Sequence, residues 1–242
     1  MPIVTENIET SSLTHTGTIR KKNEDALVAM PKAGLWAVAD GMGGHEAGDY
    51  ASQCIIGHLY QAGLAFNGMN LVNKVPDILK AANLEIFNYA RQRDEESIVG
   101  STVTLLIMEG DKYHCFWSGD SRCYLLRENI IKPLTQDHTE AYELFEQGRI
   151  SADQIETCPE SNVLTQAIGI DEIPYIDYTQ DYIYEDDRFL LCTDGITKVF
   201  SDQKIQMFLQ EKNIDKINQG FLNEALEAGA PDNLSSIIIG LL

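Results

Sequence analysis

The order of apolar and polar residues along the chain predicts strands first, then two helices, then a second run of strands. Residues 12–40 hold the short apolar runs SLTHTGT, DALVAM and GLWAVAD, which are typical of strands. From residue 46 to about 64, and again from 71 to 93, apolar residues recur at helical spacing, which predicts two helices. The runs STVTLLIME, KYHCFWSG and SRCYLLR then predict consecutive strands joined by tight turns.

The last part of the chain returns to this mixture after a polar stretch from residue 133 to 170. YIDYTQ and RFLLCTD predict two more strands, two helices follow and end near residue 228, and LSSIIIGLL predicts a final strand. Because strands and helices cluster instead of alternating strictly, the pattern predicts an α+β fold with antiparallel sheets. A length of 242 residues with 44% hydrophobic content suits one domain over residues 1–242.

Composition narrows the setting in which the chain works. It contains no run of about 18 apolar residues, and its N-terminus lacks the basic and apolar segments of a signal peptide. Its cysteines are odd in number, widely spaced and free of CxxC pairs, which favours a reduced cytoplasmic protein over a disulfide scaffold or zinc site. These five cysteines are Cys54, Cys115, Cys123, Cys158 and Cys192.

The charge balance is strongly acidic, with 37 Asp and Glu residues against 18 Lys and Arg residues and a formal net charge of -19. Such a surface repels polyanions, so we expect no nucleic-acid partner and no binding to anionic membranes. Charge alone names no function. It does raise the question of whether some carboxylates are grouped to hold divalent cations.

Acidic residues recur where predicted strands begin or end. Asp40 and Asp194 each end an apolar run, and each precedes a glycine and a predicted helix. The others are Asp120 in the turn of FWSGDSR, Asp232 before the last strand, and Glu24 and Asp25 before an early strand. Any one of these, including Asp40, is explained by an ordinary Asp-Gly turn. As a set they favour a site for Mg²⁺ or Mn²⁺, which prefer carboxylate, carbonyl and water ligands, whereas zinc prefers His and Cys.

Other catalytic patterns fail on their own requirements. The glycines after Asp40 do not make a dinucleotide-binding loop, because Glu46 stands where that loop needs glycine. The chain has no Gly-Lys-Ser/Thr segment of a P-loop, no cysteine separated by five residues from a following arginine, and no GxSxG nucleophile motif. This leaves chemistry by metal-activated water, without an obvious side-chain nucleophile.

Eight motifs in order resemble the metal-dependent Ser/Thr protein phosphatases of the type 2C (PPM) family, in their bacterial stand-alone form. The motifs are RKKNEDA, VADGMGGHEAG, GSTVT, WSGDSR, LTQDHT, LTQAIG, LLCTDGI and APDNLSSI, and the similarity runs from about Leu13 to the C-terminus. The resemblance implies a four-layer α-β-β-α sandwich, with two antiparallel sheets flanked by helices. It also implies two tightly bound Mn²⁺ or Mg²⁺ ions and a third, weaker one.

The resemblance assigns ligand roles residue by residue. Asp40 matches the carboxylate that bridges two ions, the carbonyl of Gly41 matches a ligand of one ion, and Asp194 and Asp232 match ligands of the other. Asp120 matches a ligand of the third ion, shared with Asp194. Glu24 and Asp25 match residues that hold metal-bound waters, and the resemblance counts them among the metal-binding residues for that reason.

Three further residues have expected roles on the substrate side. Arg20 matches the arginine that binds phosphate; by itself it reads as a solvated member of the basic run RKK. Asn233 matches a residue beside the bound substrate. His45 is a candidate for protonating the leaving oxygen, with a structural role near a helix N-terminus as the alternative. Animal members of the family carry histidine directly after Asp-Gly, where this chain has Met42.

Residues 137–170 resemble the substrate-contacting flap of the family, because they form a long polar segment between strands; a plain surface insertion is the alternative. The implied function is a protein serine/threonine phosphatase, in which a metal-bridging hydroxide attacks phosphorus in line without a phospho-enzyme. Expected partners are phosphorylated proteins, the substrates of a Ser/Thr kinase, and the expected state is a monomer. Two rivals remain: a catalytically weak regulatory or binding domain, and a phosphatase of small phosphorylated molecules.

Overall fold

The computed structural model describes residues 8–43, 47–93 and 97–241. The strands in chain order are β1 Ile8–His15, β2 Asp25–Met30, β3 Leu35–Gly43, β4 Val99–Ser101, β5 Val103–Glu109, β6 Lys112–Ser118, β7 Arg122–Arg127, β8 Ile130–Pro133, β9 Asp177–Tyr182, β10 Arg188–Cys192 and β11 Leu234–Leu241. The α-helices are α1 Gly48–Ala65, α2 Gly68–Arg93, α3 Glu140–Glu146, α4 Asp194–Thr197, α5 Asp202–Leu209 and α6 Ile214–Glu227. Short 3₁₀ turns occur at Pro31–Ala33, Ala152–Gln154 and Pro159–Asn162.

The strands form two antiparallel sheets. One sheet has the order β1-β11-β10-β7-β8, and the other has the order β2-β3-β5-β6-β9, with β4 paired to the end of β3. In the second sheet β2 pairs with β3, and β5 with β6, as sequence neighbours. In the first sheet β11 returns from far along the chain to lie between β1 and β10. Strand segments from the two halves of the chain are therefore brought together at the sheet ends.

The two sheets pack face to face because many of their strands are apolar on both faces. In β3, Trp36 and Val38 face the layer between the sheets, while Leu35 and Ala37 face the outer helices. This two-residue alternation is the ordinary side-chain period of a strand. A continuous apolar run such as GLWAVAD is therefore what a strand covered on both faces requires.

Helices cover both outer faces. The helices α1 and α2 pack on the β2-β3-β5-β6-β9 sheet, where Ile55, Leu59, Leu79 and Ile86 are fully buried. The helices α5 and α6 pack on the other sheet through a second cluster that includes Phe221. The predicted α-β-β-α sandwich is thereby confirmed. Among the described residues, the helices include none with the length and apolar character needed to cross a membrane.

Differences from the predicted elements are local. The strand β8, Ile130–Pro133, was not predicted. It follows β7 through a two-residue turn at Glu128 and Asn129, whose φ angles are 52° and 61°. Positive φ at both positions is typical of the tight turns that join hairpin strands. The first strand begins at Ile8 and ends at His15, earlier than the SLTHTGT run predicts, because it pairs along the whole of β11.

Candidate metal centre

A cleft of about 730 Å³ lies where several strands begin or end. Asp40 lies near the end of β3, Asp120 in the turn between β6 and β7, Asp194 directly after β10, and Asp232 shortly before β11. All four line this one cleft. Glu24, Gly41, Arg20 and Asn233 line it as well. Residues predicted from separate motifs are therefore brought together by the sandwich.

The backbone of Asp40 is fixed to the strand that follows the helices. Its N–H donates to Oγ1 of Thr102 over 3.0 Å, and the Thr102 N–H donates back to the Asp40 carbonyl over 2.9 Å. Oγ1 of Thr102 also lies 2.7 Å from the hydroxyl oxygen of Ser121. Ser121 follows Asp120 directly, so one chain of hydrogen bonds sets the spacing between the Asp40 and Asp120 segments.

Gly41 allows a close approach that no larger residue permits. A Cβ at this position would lie 1.9 Å from the carbonyl oxygen of Gly48, the first residue of α1. The Gly41 N–H donates to the Glu24 carbonyl over 3.0 Å, so the segment before β2 is held against the same bend. The glycine after Asp40 is therefore needed to seat α1 and the Glu24 segment at the edge of the cleft.

A second glycine joins the Asp194 and Asp232 segments. A Cβ on Gly195 would lie 1.8 Å from the carbonyl oxygen of Asn233, so the backbones of the two acidic segments touch at this point. The two Asp residues are 38 positions apart in sequence but share one wall of the cleft. The glycine of the second Asp-Gly pair therefore allows two acidic segments to pack closely, as Gly41 does for α1 and the Glu24 segment.

Asp25 is buried behind the cleft and is paired with Asp40 across β2 and β3. Its Oδ2 accepts a hydrogen bond of 2.8 Å from the hydroxyl of Thr193, which in turn accepts one of 3.0 Å from the Ser235 N–H. Its Oδ1 has no hydrogen-bond partner. Burial, together with the nearby charge of Asp194, raises the pKa of Asp25 to about 7.

The other carboxylates are crowded in the same way. Burial raises the pKa of Asp120 to about 7, with a further contribution from Asp194. Burial and the charge of Asp25 raise the pKa of Asp40 well above its ordinary value. Burial also raises the pKa of Asp194, whose Oδ1 has no hydrogen-bond partner. Divalent cations fit this set, since they supply the missing positive charge and bind hard oxygen donors that lack a partner.

The sequence was compared with families of known proteins. The family described as Protein phosphatase 2C matches residues 5–234 of the chain.

The chain belongs to the protein phosphatase 2C family.

Its relatives are bacterial Ser/Thr phosphatases. The Serine/threonine protein phosphatase PstP of Mycobacterium tuberculosis is 32% identical over 223 residues, which are 92% of this chain and 43% of PstP. The chain thus spans less than half the length of that relative. A solved structure of the catalytic domain of PstP in complex with two manganese ions has 29% sequence identity and a TM-score of 0.88, covering 98% of this chain and 99% of that one.

A second similar protein is PppA, described as a key regulatory component of T6SS in Pseudomonas aeruginosa. It has 31% sequence identity and a TM-score of 0.88, and the match covers 98% of this chain and 99% of PppA. Taken with the family match, these likenesses show that the chain shares the fold of the PstP catalytic domain, which is solved with two manganese ions.

The phosphatase domain contains one cleft residue that the sequence did not single out. Lys198 lies four residues after Asp194, forms an ion pair with it, and places its ammonium nitrogen 3.2 Å from Oδ2 of Asp232. Although burial acts in the opposite direction, Asp194 raises the pKa of Lys198 above its ordinary value. The spacing of four residues at the start of a helix was the available signal, because it places two side chains on one face.

Arg20 also contacts Asp232. Its Nε lies 2.9 Å from Oδ1 and its Nη2 lies 3.1 Å from Oδ2, so the guanidinium and the carboxylate form a bidentate ion pair. Burial would raise the pKa of Asp232, but the charges of Lys198 and Arg20 hold it below its ordinary value. Arg20 therefore lies at the cleft, and phosphate binding by its fork stays a prediction.

Asn233 holds the neighbouring loop in place. Its Oδ1 accepts the Glu24 N–H over 2.8 Å, while its Nδ2 donates to the carbonyls of Thr16 and Lys22 over 2.8 and 2.9 Å. These contacts explain how the segment carrying Arg20 and Glu24 is positioned. Contact between Asn233 and a substrate remains a prediction.

Residues from the predicted flap form the opposite rim of the cleft. Asn162, Val163 and Leu164 line it, and Thr139 pairs with Leu164 in an isolated bridge. The segment contains α3 and two 3₁₀ turns rather than a bare loop. His45, the candidate general acid, lies outside the described residues, so its role stays a prediction.

Proposed function

We propose that this domain removes phosphate from phosphoserine and phosphothreonine side chains of proteins, with two divalent cations, Mn²⁺ or Mg²⁺, held by Asp40, Gly41, Asp194 and Asp232. The observation that carries the proposal is the convergence of Asp40, Asp194 and Asp232 on one cleft, with an unpartnered buried oxygen on Asp194. Glu24, which lines the cleft, and Asp25, which is buried behind it, would orient water next to the cations.

The bound cations supply the chemistry of water activation and offset the charge of the phosphate dianion. The chain's own groups bind and orient. Arg20 presents a planar fork that suits two phosphate oxygens, once its contacts with Asp232 are exchanged for the substrate. No cysteine among the described residues lines the cleft, and Thr102 is engaged by Asp40 and Ser121, so a side-chain nucleophile is not supported.

Asp120 is proposed to hold a third, weaker cation together with Asp194. It lines the same cleft as Asp194, and besides burial the charge of Asp194 raises the pKa of Asp120. With two protein carboxylates and otherwise water, such a site binds weakly, because Mg²⁺ and Mn²⁺ keep their hydration unless charge compensates. His45 is proposed as the proton donor to the leaving oxygen.

Residues 137–170 are proposed to act as the flap that contacts the peptide around the phosphorylated residue. Support comes from the position of Asn162, Val163 and Leu164 on the cleft rim. The remaining proposals follow from the sequence: residues 1–242 form one domain that is cytoplasmic and monomeric, its substrates are phosphorylated proteins supplied by a Ser/Thr kinase, and it has no nucleic-acid or membrane partner.

The test is a pair of assays on the same protein, one with a phosphothreonine peptide and one with a small aryl phosphate. Each is run with Mn²⁺, with Mg²⁺ and with excess chelator. We expect turnover of the peptide in both metals and loss of turnover in chelator that returns when metal is added back. Full activity of the chelated protein would overturn the metal proposal, and turnover of the small ester alone would overturn the protein-substrate proposal.

A further inference from the structure

A second group of metal-binding side chains lies on the outer helical layer, between α1 and α2. Cys54 and His58 are four residues apart on α1, so they lie on one face of that helix. Glu85 reaches them from α2. The ligand atoms of the three side chains all lie within 4.8 Å of one another. None of the three lines the cleft that contains Asp40.

Neighbouring groups already orient the carboxylate of this cluster. The Nε2 atom of His58 lies 2.9 Å from Oε2 of Glu85, and Tyr50 donates its hydroxyl to Oε1 over 3.1 Å. Tyr50 stacks on Tyr89 of α2 with ring centroids 3.9 Å apart, so the two helices are joined directly beside the cluster. Metal sites depend on outer contacts of this kind, because these contacts fix the direction of each ligand.

The donor set differs from that of the catalytic cleft. It combines a thiol sulfur, an imidazole nitrogen and a carboxylate oxygen, a mixture that suits Zn²⁺ and not Mg²⁺ or Mn²⁺. Without metal, the Glu85 carboxylate already contacts the His58 imidazole and accepts a hydrogen bond from the Cys54 thiol, so the three donor groups are in direct contact. A cation of zinc type accounts for all three, and three protein ligands leave a fourth position for water or another donor.

We propose that Cys54, His58 and Glu85 form a zinc site that joins α1 to α2, separate from the catalytic cleft. When the ion binds, a sulfur–metal bond replaces the S–H bond of Cys54 and the thiol proton passes to solvent. His58 and Glu85 contribute lone pairs, and nothing is oxidised or reduced. The helix α1 begins at Gly48, which packs closely against Gly41 of the cleft. A zinc ion bound between α1 and α2 would therefore stabilise a helix that contacts the cleft.

The test titrates Zn²⁺ into the full chain in excess Mg²⁺, which keeps the cleft carboxylates occupied, and follows the heat of binding and the melting temperature. We expect one Zn²⁺ per chain and a higher melting temperature. Co²⁺ used in the same way is expected to give a sulfur-to-metal absorption band. His58→Gln and Glu85→Gln change partly exposed side chains. Each should weaken Zn²⁺ binding by at least about 100-fold, because loss of a group that only supports a metal ligand already weakens binding by up to about that factor.

The cysteine variants locate the site. Cys54→Ala should lose both Zn²⁺ binding and the Co²⁺ absorption band, whereas Cys158→Ala, which removes a half-buried cysteine on the flap, should keep both. Melting curves in Mg²⁺ alone establish that each variant is folded. The proposal is overturned if the wild-type chain takes up no Zn²⁺ in excess Mg²⁺. It is equally overturned if Cys54→Ala and His58→Gln, both folded, bind Zn²⁺ as the wild type does.

Discussion

The ammonium nitrogen of Lys198 lies 3.2 Å from a carboxylate oxygen of Asp232. The same group pairs with Asp194, so one lysine neutralises two of the proposed cation ligands. Burial alone would lower the pKa of Lys198, but the charge of Asp194 raises it above its ordinary value. Lys198 therefore stays charged across neutral pH. A divalent cation that binds these oxygens must therefore displace a positive charge already present.

Replacing Lys198 by methionine should tighten Mn²⁺ binding by about tenfold, since the lost competition with a partly exposed ion pair is worth roughly 1.4 kcal/mol. The metal-free variant should melt at a lower temperature than the wild type, because Asp194 and Asp232 lose a counter-charge. Calorimetric titration and melting curves measure the two effects. Lys204→Met removes a surface pair with Glu224, 2.8 Å long, and is the matched control. Unchanged or weaker Mn²⁺ binding in Lys198→Met would contradict the expectation.

Asp40→Asn should reduce turnover by at least about 100-fold, because loss of a ligand removes several kcal/mol of charge stabilisation from the reaction. It should also abolish the rise in melting temperature that Mn²⁺ produces. Without metal the variant should be at least as stable as the wild type, since it removes a carboxylate whose pKa burial and Asp25 have raised. Asp153→Asn, which changes an exposed carboxylate of the flap, is the control. If Mn²⁺ raises the melting temperature of Asp40→Asn as much as that of the wild type, Asp40 is not a metal ligand.

Arg20→Ala should raise KM for a phosphopeptide by about tenfold or more, as expected for loss of a charge-assisted hydrogen bond of roughly 1.5–3 kcal/mol. Arg20→Lys should recover only part of this, because an ammonium group lacks the planar fork. Steady-state kinetics at saturating Mn²⁺ separate KM from kcat. If Arg20 serves only to pair with Asp232, the variants should alter metal affinity and leave KM at saturating metal unchanged.

Asp120→Ala should slow turnover by about 10- to 100-fold, the range typical for groups that support a metal centre from outside its tight ligands. Two tightly bound cations per chain should remain, and the fold should be intact. Metal stoichiometry, melting temperature and turnover are measured on the one variant. If Asp120 only supports its own turn, stability should fall by about 1 kcal/mol while turnover stays at the wild-type level, and the third-cation role would be wrong.

The metal-free domain should lose stability as pH rises from about 4 to about 7. Asp25 and Asp120 have folded-state pKa values of about 7 against an ordinary 3.8, so the folded chain keeps protons that the unfolded chain releases. Their contribution is complete below the ordinary value and is lost as pH passes the folded value. Melting curves should show a fall of at least about 2–4 °C, the shift from 1 kcal/mol in a domain of this size.

Saturating Mn²⁺ should reverse that trend, because cations bind the deprotonated carboxylates and their binding strengthens as protons leave. The same melting series, repeated with Mn²⁺ and with Asp40→Asn, provides the comparison. The variant should show a shallower pH dependence without metal, since one member of the crowded set is gone. A metal-free wild type whose melting temperature rises steadily over this range would contradict the assignment of raised pKa values.

Local sequence carried enough information for the class of fold and for the acidic residues that share the cleft. The continuous apolar run GLWAVAD and the helical period after it depend only on near neighbours, and they predicted β3 and α1 within a few residues. Asp40 and Asp194 were visible because apolar runs ended at both, each followed by glycine. The strand β8 was missed, since a short strand of exposed residues carries almost no periodic signal.

Tertiary structure alone decided which groups neutralise and position those carboxylates. Arg20 meets Asp232 from 212 residues away, and Thr193 meets Asp25 from 168 residues away. Such pairings depend on strand register and on how two sheets and their helices pack, and no local pattern encodes them. The same holds for Glu85 on α2, which joins Cys54 and His58 only because the two helices lie side by side. The sequence by itself determined which side chains were available for metal chemistry, and the packing of distant segments determined which of them share a site.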